Sequence, residues 1–214
     1  MATAASAAAP ILVADFWDDA CKHLVKRDRV MKKLIPRFGD GQLESRGDAF
    51  TTLARSIVGQ QISVKAAQSI WARFGEAAGK MEAARVAEMP VEVLRGCGLS
   101  GQKALYVKDL ALHFHTGLVK PRRWARMDDE AIIEDLVRVK GIGRWSVEMF
   151  LIFHLMRPNV LPVDDLGLRR AMERAYNDGE PLTKDEMRAL GARWAPWSSV
   201  ATWYLWRSLD PVSF

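Results

Sequence analysis

Apolar residues in this chain recur every three to four positions and almost nowhere every two. That spacing lines up side chains on one face of a helix, not of a strand. Phe50, Leu53, Ala54, Ile57 and Val58 form one such stripe, and Ile132, Ile133, Leu136 and Val137 another. Phe16, Ala20 and Leu24, continued by Val30-Met31 and Leu34-Ile35, predict one or two helices stopped by Pro36. Residues 37–46, with Gly39 and Gly41, read as a linker. The one strand-like run, Val160-Leu161-Pro162-Val163, is short and interrupted by proline.

Punctuation agrees with the stripes. Asp48, Ser63 and Asp128 stand where a side-chain oxygen would cap a helix start. Short helices are expected over roughly 80–88 and 91–96, and Ser100 precedes a longer one ending near Gly117. Another helix should follow Gly143 to about Met156, before Pro158, and the next should begin at Asp164-Asp165. Thr183-Lys184-Asp185-Glu186 is a capping box, and a last helix runs through Trp203 to Leu209. The predicted class is all-α, with about ten helices, short connections and no internal repeat.

The chain has 214 residues, 49% of them hydrophobic, enough to bury a core as one domain or two closely packed lobes. No apolar run approaches the roughly 20 residues needed to span a bilayer. Residues 1–12, beginning MATAASAAAP, read as a disordered tail that lacks the basic start and apolar segment of a signal peptide. Cys21 and Cys97 alone make neither a four-thiolate metal site nor a disulfide scaffold, so a reducing, cytoplasmic setting is expected. The net charge of +5 permits a polyanionic partner. Lys120, Arg122, Arg123, Arg126, Arg138, Lys140 and Arg144 gather before and within one Gly-x-Gly turn.

That turn lies in Leu136-Val137-Arg138-Val139-Lys140-Gly141-Ile142-Gly143-Arg144-Trp145-Ser146, which reads as helix, turn, helix. Its glycines open backbone angles barred to other residues and let a phosphate approach closely. Ile142 would plug the turn into the core. The N–H groups starting the second helix favour an anion, and Lys140 and Arg144 add charge. Such contacts position DNA but read no sequence. A lone Gly-x-Gly could be a plain helix–helix turn. About twenty residues on, Pro162-Val163-Asp164-Asp165-Leu166-Gly167-Leu168-Arg169-Arg170-Ala171 places two acids at a helix start. One acid could simply cap the helix while the other is solvated.

Taken together, Leu136 to Ala171 resembles the signature of the helix-hairpin-helix DNA glycosylase superfamily. Within it, Leu161-Pro162-Val163-Asp164-Asp165, Gly59-Gln60-Gln61-Ile62-Ser63-Val64 and Trp194-Ala195-Pro196-Trp197-Ser198-Ser199 are similar to the 3-methyladenine DNA glycosylase II branch. The resemblance covers residues 15 to 210 and looks like the compact form, without an extra N-terminal β-rich domain. It implies a two-lobed helical fold: residues 48–158 form a central lobe with the hairpin, and 13–47 plus 159–214 the second.

The implied activity is monofunctional base excision from double-stranded DNA. The N-glycosidic bond of alkylated purines such as 3-methyladenine and 7-methylguanine is hydrolysed, leaving an abasic site. Leu168, Arg170 and Ala171 follow Asp165 at the family's spacing, so Asp165 is the catalytic candidate. Asp164 is the secondary one, expected as helix cap or structural partner. Lyase members of the family carry a lysine where Trp145 stands, so no Schiff base is expected here. Trp145, Met149, Trp206 and Trp203 are the base-pocket candidates, and an aromatic pocket suits a cationic base. Trp194 and Trp197 read as core, and His23, His113, His115 and His154 as structural.

Gln60, Gln61, Lys140, Gly141, Gly143, Arg144 and Ser146 are the implied DNA contacts, with Gln61 either a wedge filling the flipped base's gap or a helix cap. No cofactor is required. The resemblance allows a structural monovalent cation on the carbonyls of Val137, Val139 and Gly141, and a monomer is expected. Two other readings remain: a glycosylase for uracil, oxidised or deaminated bases, or a non-enzymatic DNA-binding module.

Overall fold

The computed structural model describes residues 12–39, 43–45 and 47–209. Most of the expected tail, residues 1–11, lies outside them, as does part of the expected linker. The chain divides into two compact units. The first comprises residues 46–150 and the second residues 12–45 and 151–214, in each case among the described residues. The expected boundary at 158 therefore falls earlier, inside a helix.

The second unit opens with an antiparallel pair of two-residue strands, β1 (Leu12–Val13) and β2 (Glu44–Ser45). Residue 12 thus belongs to a strand and not to the tail. Between the strands run α1 (Trp17–Arg27) and α2 (Met31–Phe38). Pro36 does not stop α2. It stands in the last turn, where its missing N–H costs one hydrogen bond and the helix continues two residues further.

The first unit holds α3 (Ala49–Gly59), α4 (Val64–Ala78), α5 (Ala83–Glu88), α6 (Val91–Gly96), α7 (Gly101–His115) and α8 (Asp129–Leu136). Each cap forms as its residue type dictates: Asp48 accepts from Thr51 N at 3.0 Å, Ser63 from Ala66 N at 3.2 Å and Asp128 from Ala131 N at 2.7 Å. Ser100 likewise accepts from Lys103 N. Both stripes of this unit bury at Leu53, Ala54, Ile57, Ile132 and Leu136, but Val137, expected in the second stripe, is 41% exposed because α8 ends at Leu136. Phe50, Phe114, Trp124 and Phe150 continue this core edge to face, at centroid separations of 5.6, 6.4 and 5.4 Å.

Helix α9 (Arg144–Phe153) carries the chain across the unit boundary and ends three residues before the expected Met156. Met156 adopts φ +54, a left-handed angle that helix geometry excludes. The second unit then adds α10 (Leu166–Tyr176), α11 (Lys184–Gly191) and α12 (Ser198–Arg207). Thr183 and Glu186 form the reciprocal capping box at α11.

A buried carboxylate ties this unit together. Asp28 Oδ1 accepts from Val30 N, Met31 N and the Tyr176 hydroxyl, and Oδ2 accepts from Trp194 Nε1. Four donors satisfy a charge that burial would otherwise penalise heavily. Trp194 is buried core, as its sequence predicts. Trp197 instead stacks on Phe16 at 5.5 Å. Among the described residues no helix is long and apolar enough to cross a membrane.

Candidate active site

The hairpin is built within the first unit. Ile142 is buried, as a plug should be, and its N–H closes the turn on Val139 O at 3.1 Å. Gly141 has φ +83, and a Cβ there would run into the Tyr106 ring. Only glycine meets both demands. The Lys140 N–H is already committed to Asp109 Oδ2 at 2.8 Å. The start of α9, where the helix dipole favours an anion, is the other backbone feature of this turn.

Gln60 reaches this turn from the end of α3. Its Nε2 donates to Gly141 O at 2.9 Å, and its own carbonyl accepts from Lys103 Nζ, which also donates to Val58 O. Burial lowers the Lys103 ammonium below its ordinary value. Next to Gln60, Gln61 is exposed and takes φ +57, a strained angle for a residue with a side chain. Gln60, Gln61, Lys103, Tyr106, Gly141 and Gly143 border a concavity of about 490 Å³. Gln61 sits at its rim and does not cap α3, whose C-cap position is Gln60.

The three carbonyls suggested for a cation lie in and just before this turn. Two of the three carbonyls already accept hydrogen bonds, Val139 from Ile142 N and Gly141 from Gln60 Nε2. Each carbonyl keeps a second lone pair beside the bond it accepts.

Arg144 departs most from expectation. Its guanidinium makes two parallel bonds of 2.6 Å to both oxygens of Glu130, and Nε donates to Glu148 Oε1 at 3.2 Å. The hydrogen bonds to Glu130 raise the Arg144 pKa further and lower that of Glu130. Arg144 is therefore a fork held by two carboxylates, not the open phosphate ligand expected from its type. Ser146, another implied DNA contact, is 8% exposed. Trp145 is 45% exposed and Met149, one turn on, is half-buried.

In the second unit, Asp165 is the N-cap of α10. Its Oδ1 accepts from Leu168 N at 2.6 Å and from Trp206 Nε1 at 2.7 Å. The expected division of labour is thus corrected: Asp165 itself caps the helix, and Asp164 forms an ion pair with Lys184. A side chain three residues from the helix N–H it accepts is in capping register, and only Asp165 has that register here. The dipole of α10 favours a carboxylate at this end. Trp206 lies flat on Phe153, with centroids 5.7 Å apart and planes 16° from parallel. Trp203, also expected at the pocket, is spent on packing. It meets Trp17 and Tyr204 edge-on at 5.2 and 4.9 Å, with Arg207 over its ring.

The profile of the HhH-GPD superfamily base excision DNA repair proteins matches residues 54–196. The chain belongs to this superfamily. It is 32% identical over 193 residues to DNA-3-methyladenine glycosylase 1 of Schizosaccharomyces pombe, covering 87% of this chain and 85% of that one. A DNA-3-methyladenine glycosidase from Bacillus halodurans has a crystal structure with TM-score 0.84 and 32% identity, covering 94% of this chain and 92% of that one. The S. pombe 3-methyladenine DNA glycosylase in complex with abasic DNA superposes with TM-score 0.76 and 31% identity, over 92% and 98% of the two chains.

In this HhH-GPD protein, the sequence reading missed functional neighbours in each unit, two of them with a local signal. Phe153 follows Trp145 and Met149 at four-residue steps, a stripe that could have been extended. Glu148 lies one turn after Arg144, a spacing at which ion pairs form. Glu130, Asp109, Tyr106 and Gly167 have no such signal.

Proposed function

We propose that this HhH-GPD protein is a monofunctional DNA glycosylase that hydrolyses the N-glycosidic bond of alkylated purines, leaving an abasic site. The observation that carries the proposal is Asp165, a carboxylate fixed at a helix start by two N–H donors in a chain with 3-methyladenine glycosylases among its relatives.

The chemistry follows from charge. As the base leaves, the sugar acquires oxocarbenium character, and a preorganised carboxylate stabilises it. Water adds its oxygen to the sugar carbon and gives up a proton, while the bond electrons go to the base. A purine alkylated at N3 or N7 is already cationic, so it leaves neutral without a strong general acid. The nucleotide must first leave the stack, at a few kcal/mol. An aromatic surface suits a cationic base, and Trp206, bonded to Asp165, is the base contact we propose. With Trp145 where lyase members carry lysine, the reaction stops at the abasic site.

Backbone N–H groups at the start of α9 hold a phosphate, with Lys140 adding charge. Arg144 joins only where a phosphate displaces Glu130. Gln61, exposed on a strained turn, is the wedge candidate. The test is release of free 3-methyladenine or 7-methylguanine from methylated DNA, followed by chromatography. Strand breaks appearing without added base or lyase would contradict the monofunctional assignment.

A further inference from the structure

Trp206 is held more tightly than stacking on a base requires. Its Nε1 donates to Asp165 Oδ1 at 2.7 Å, and Leu168 N donates to the same oxygen at 2.6 Å. One N–H comes from α10 and the other from α12, so the carboxylate is fixed from two elements. A single cap bond leaves a carboxylate free to pivot about that bond; a second donor removes the pivot. The indole N–H lies in the ring plane, so its aim depends on the ring's tilt. Phe153, stacked at 16°, sets that tilt. The approach also needs room. A Cβ on Gly167 would stand 3.1 Å from Asp165 Oδ1, 3.3 Å from Trp206 Cδ1 and 3.4 Å from Trp206 Nε1. Position 167 carries no side chain where one would press on both partners.

We propose that Trp206, backed by Phe153 and admitted by Gly167, is a positioning residue that aims the Asp165 carboxylate at the sugar carbon. The proposal rests on the glycosylase reading and separates two properties of one ring: stacking belongs to its face, positioning to its N–H. Trp206→Phe keeps the face and removes the donor. Misaimed catalytic groups lose roughly ten- to hundredfold in rate.

The experiment measures single-turnover base release at saturating enzyme, and separately the affinity for DNA carrying an abasic-site analogue. Trp206→Phe and Gly167→Ala should slow release at least about tenfold and leave abasic-DNA affinity within about twofold. A second readout needs no turnover: the Trp206 indole ¹H–¹⁵N resonance, identified by its loss in Trp206→Phe, should move in Asp165→Ala. Wild-type release rates in both Trp206→Phe and Gly167→Ala, or an indole resonance indifferent to Asp165→Ala, would overturn the positioning role alone. No base release by the wild-type protein would overturn the glycosylase reading and this inference with it.

Discussion

Arg144 and Glu130 face each other through two parallel hydrogen bonds of 2.6 Å, and both side chains are about half exposed. A carboxylate thus occupies the fork that would suit a DNA phosphate. Glu130→Gln should free that fork and remove one negative charge beside the hairpin. The expected result is tighter DNA binding at low salt and a salt slope steeper by up to about one counterion. Fluorescence anisotropy across a salt series reads both, and an unchanged slope would show that Arg144 stays out of the phosphate contact.

The same pair has a pH signature. Arg144 holds the Glu130 carboxyl below its ordinary value of 4.5. A depressed carboxyl contributes stability that is complete above the unfolded value and is lost as pH falls through the folded one. Wild type should therefore exceed Glu130→Gln in melting temperature at pH 7, and the gap should close as pH falls from the ordinary carboxyl value through the depressed folded one. The gap should be small, because exposed pairs are screened by water.

Asp28 offers a sharper stability test. Asp28→Ala would leave the Tyr176 hydroxyl and Trp194 Nε1 without their acceptor in a buried site. Such orphaned donors cost about 1–3 kcal/mol each, so a loss of about 3 kcal/mol or more is expected in urea unfolding. Tyr176→Phe removes one donor together with its need and should cost only about 1–1.5 kcal/mol.

Gly141→Ala tests the hairpin. The added methyl meets the Tyr106 ring, and φ +83 is strained for alanine. About 1–3 kcal/mol of destabilisation is expected, with weakened DNA binding. Wild-type melting and affinity would show that the turn yields more than its geometry implies.

The fold was legible because helices announce themselves locally. Asp48, Ser63, Asp128 and Thr183 each cap the helix they precede, and the stripes of α3 and α8 bury within their helices, Val137 lying just past the end of α8. Errors arose where tertiary context overrode a local signal. Pro36 stands too near the end of α2 to stop it, and Trp203 was drawn into packing by Trp17. At the candidate site, spacing singled out Asp165 but not its second role as helix cap. Other relationships join residues far apart in sequence: Gln60 to Gly141 across 81 positions, Trp206 to Asp165 across 41, Arg144 to Glu130 across 14. No local pattern encodes them, since they exist only once the helices pack.

The central claim is that Asp165 performs the chemistry, and Asp165→Asn tests it most directly. Asparagine is an equally good N-cap, so helix α10 keeps its start while the charge is lost. Asp165→Asn should release methylated purines at least about 10²-fold more slowly than wild type. It should melt within about 1 kcal/mol of wild type and still bind abasic-analogue DNA. Base release by Asp165→Asn at the wild-type rate would contradict the account.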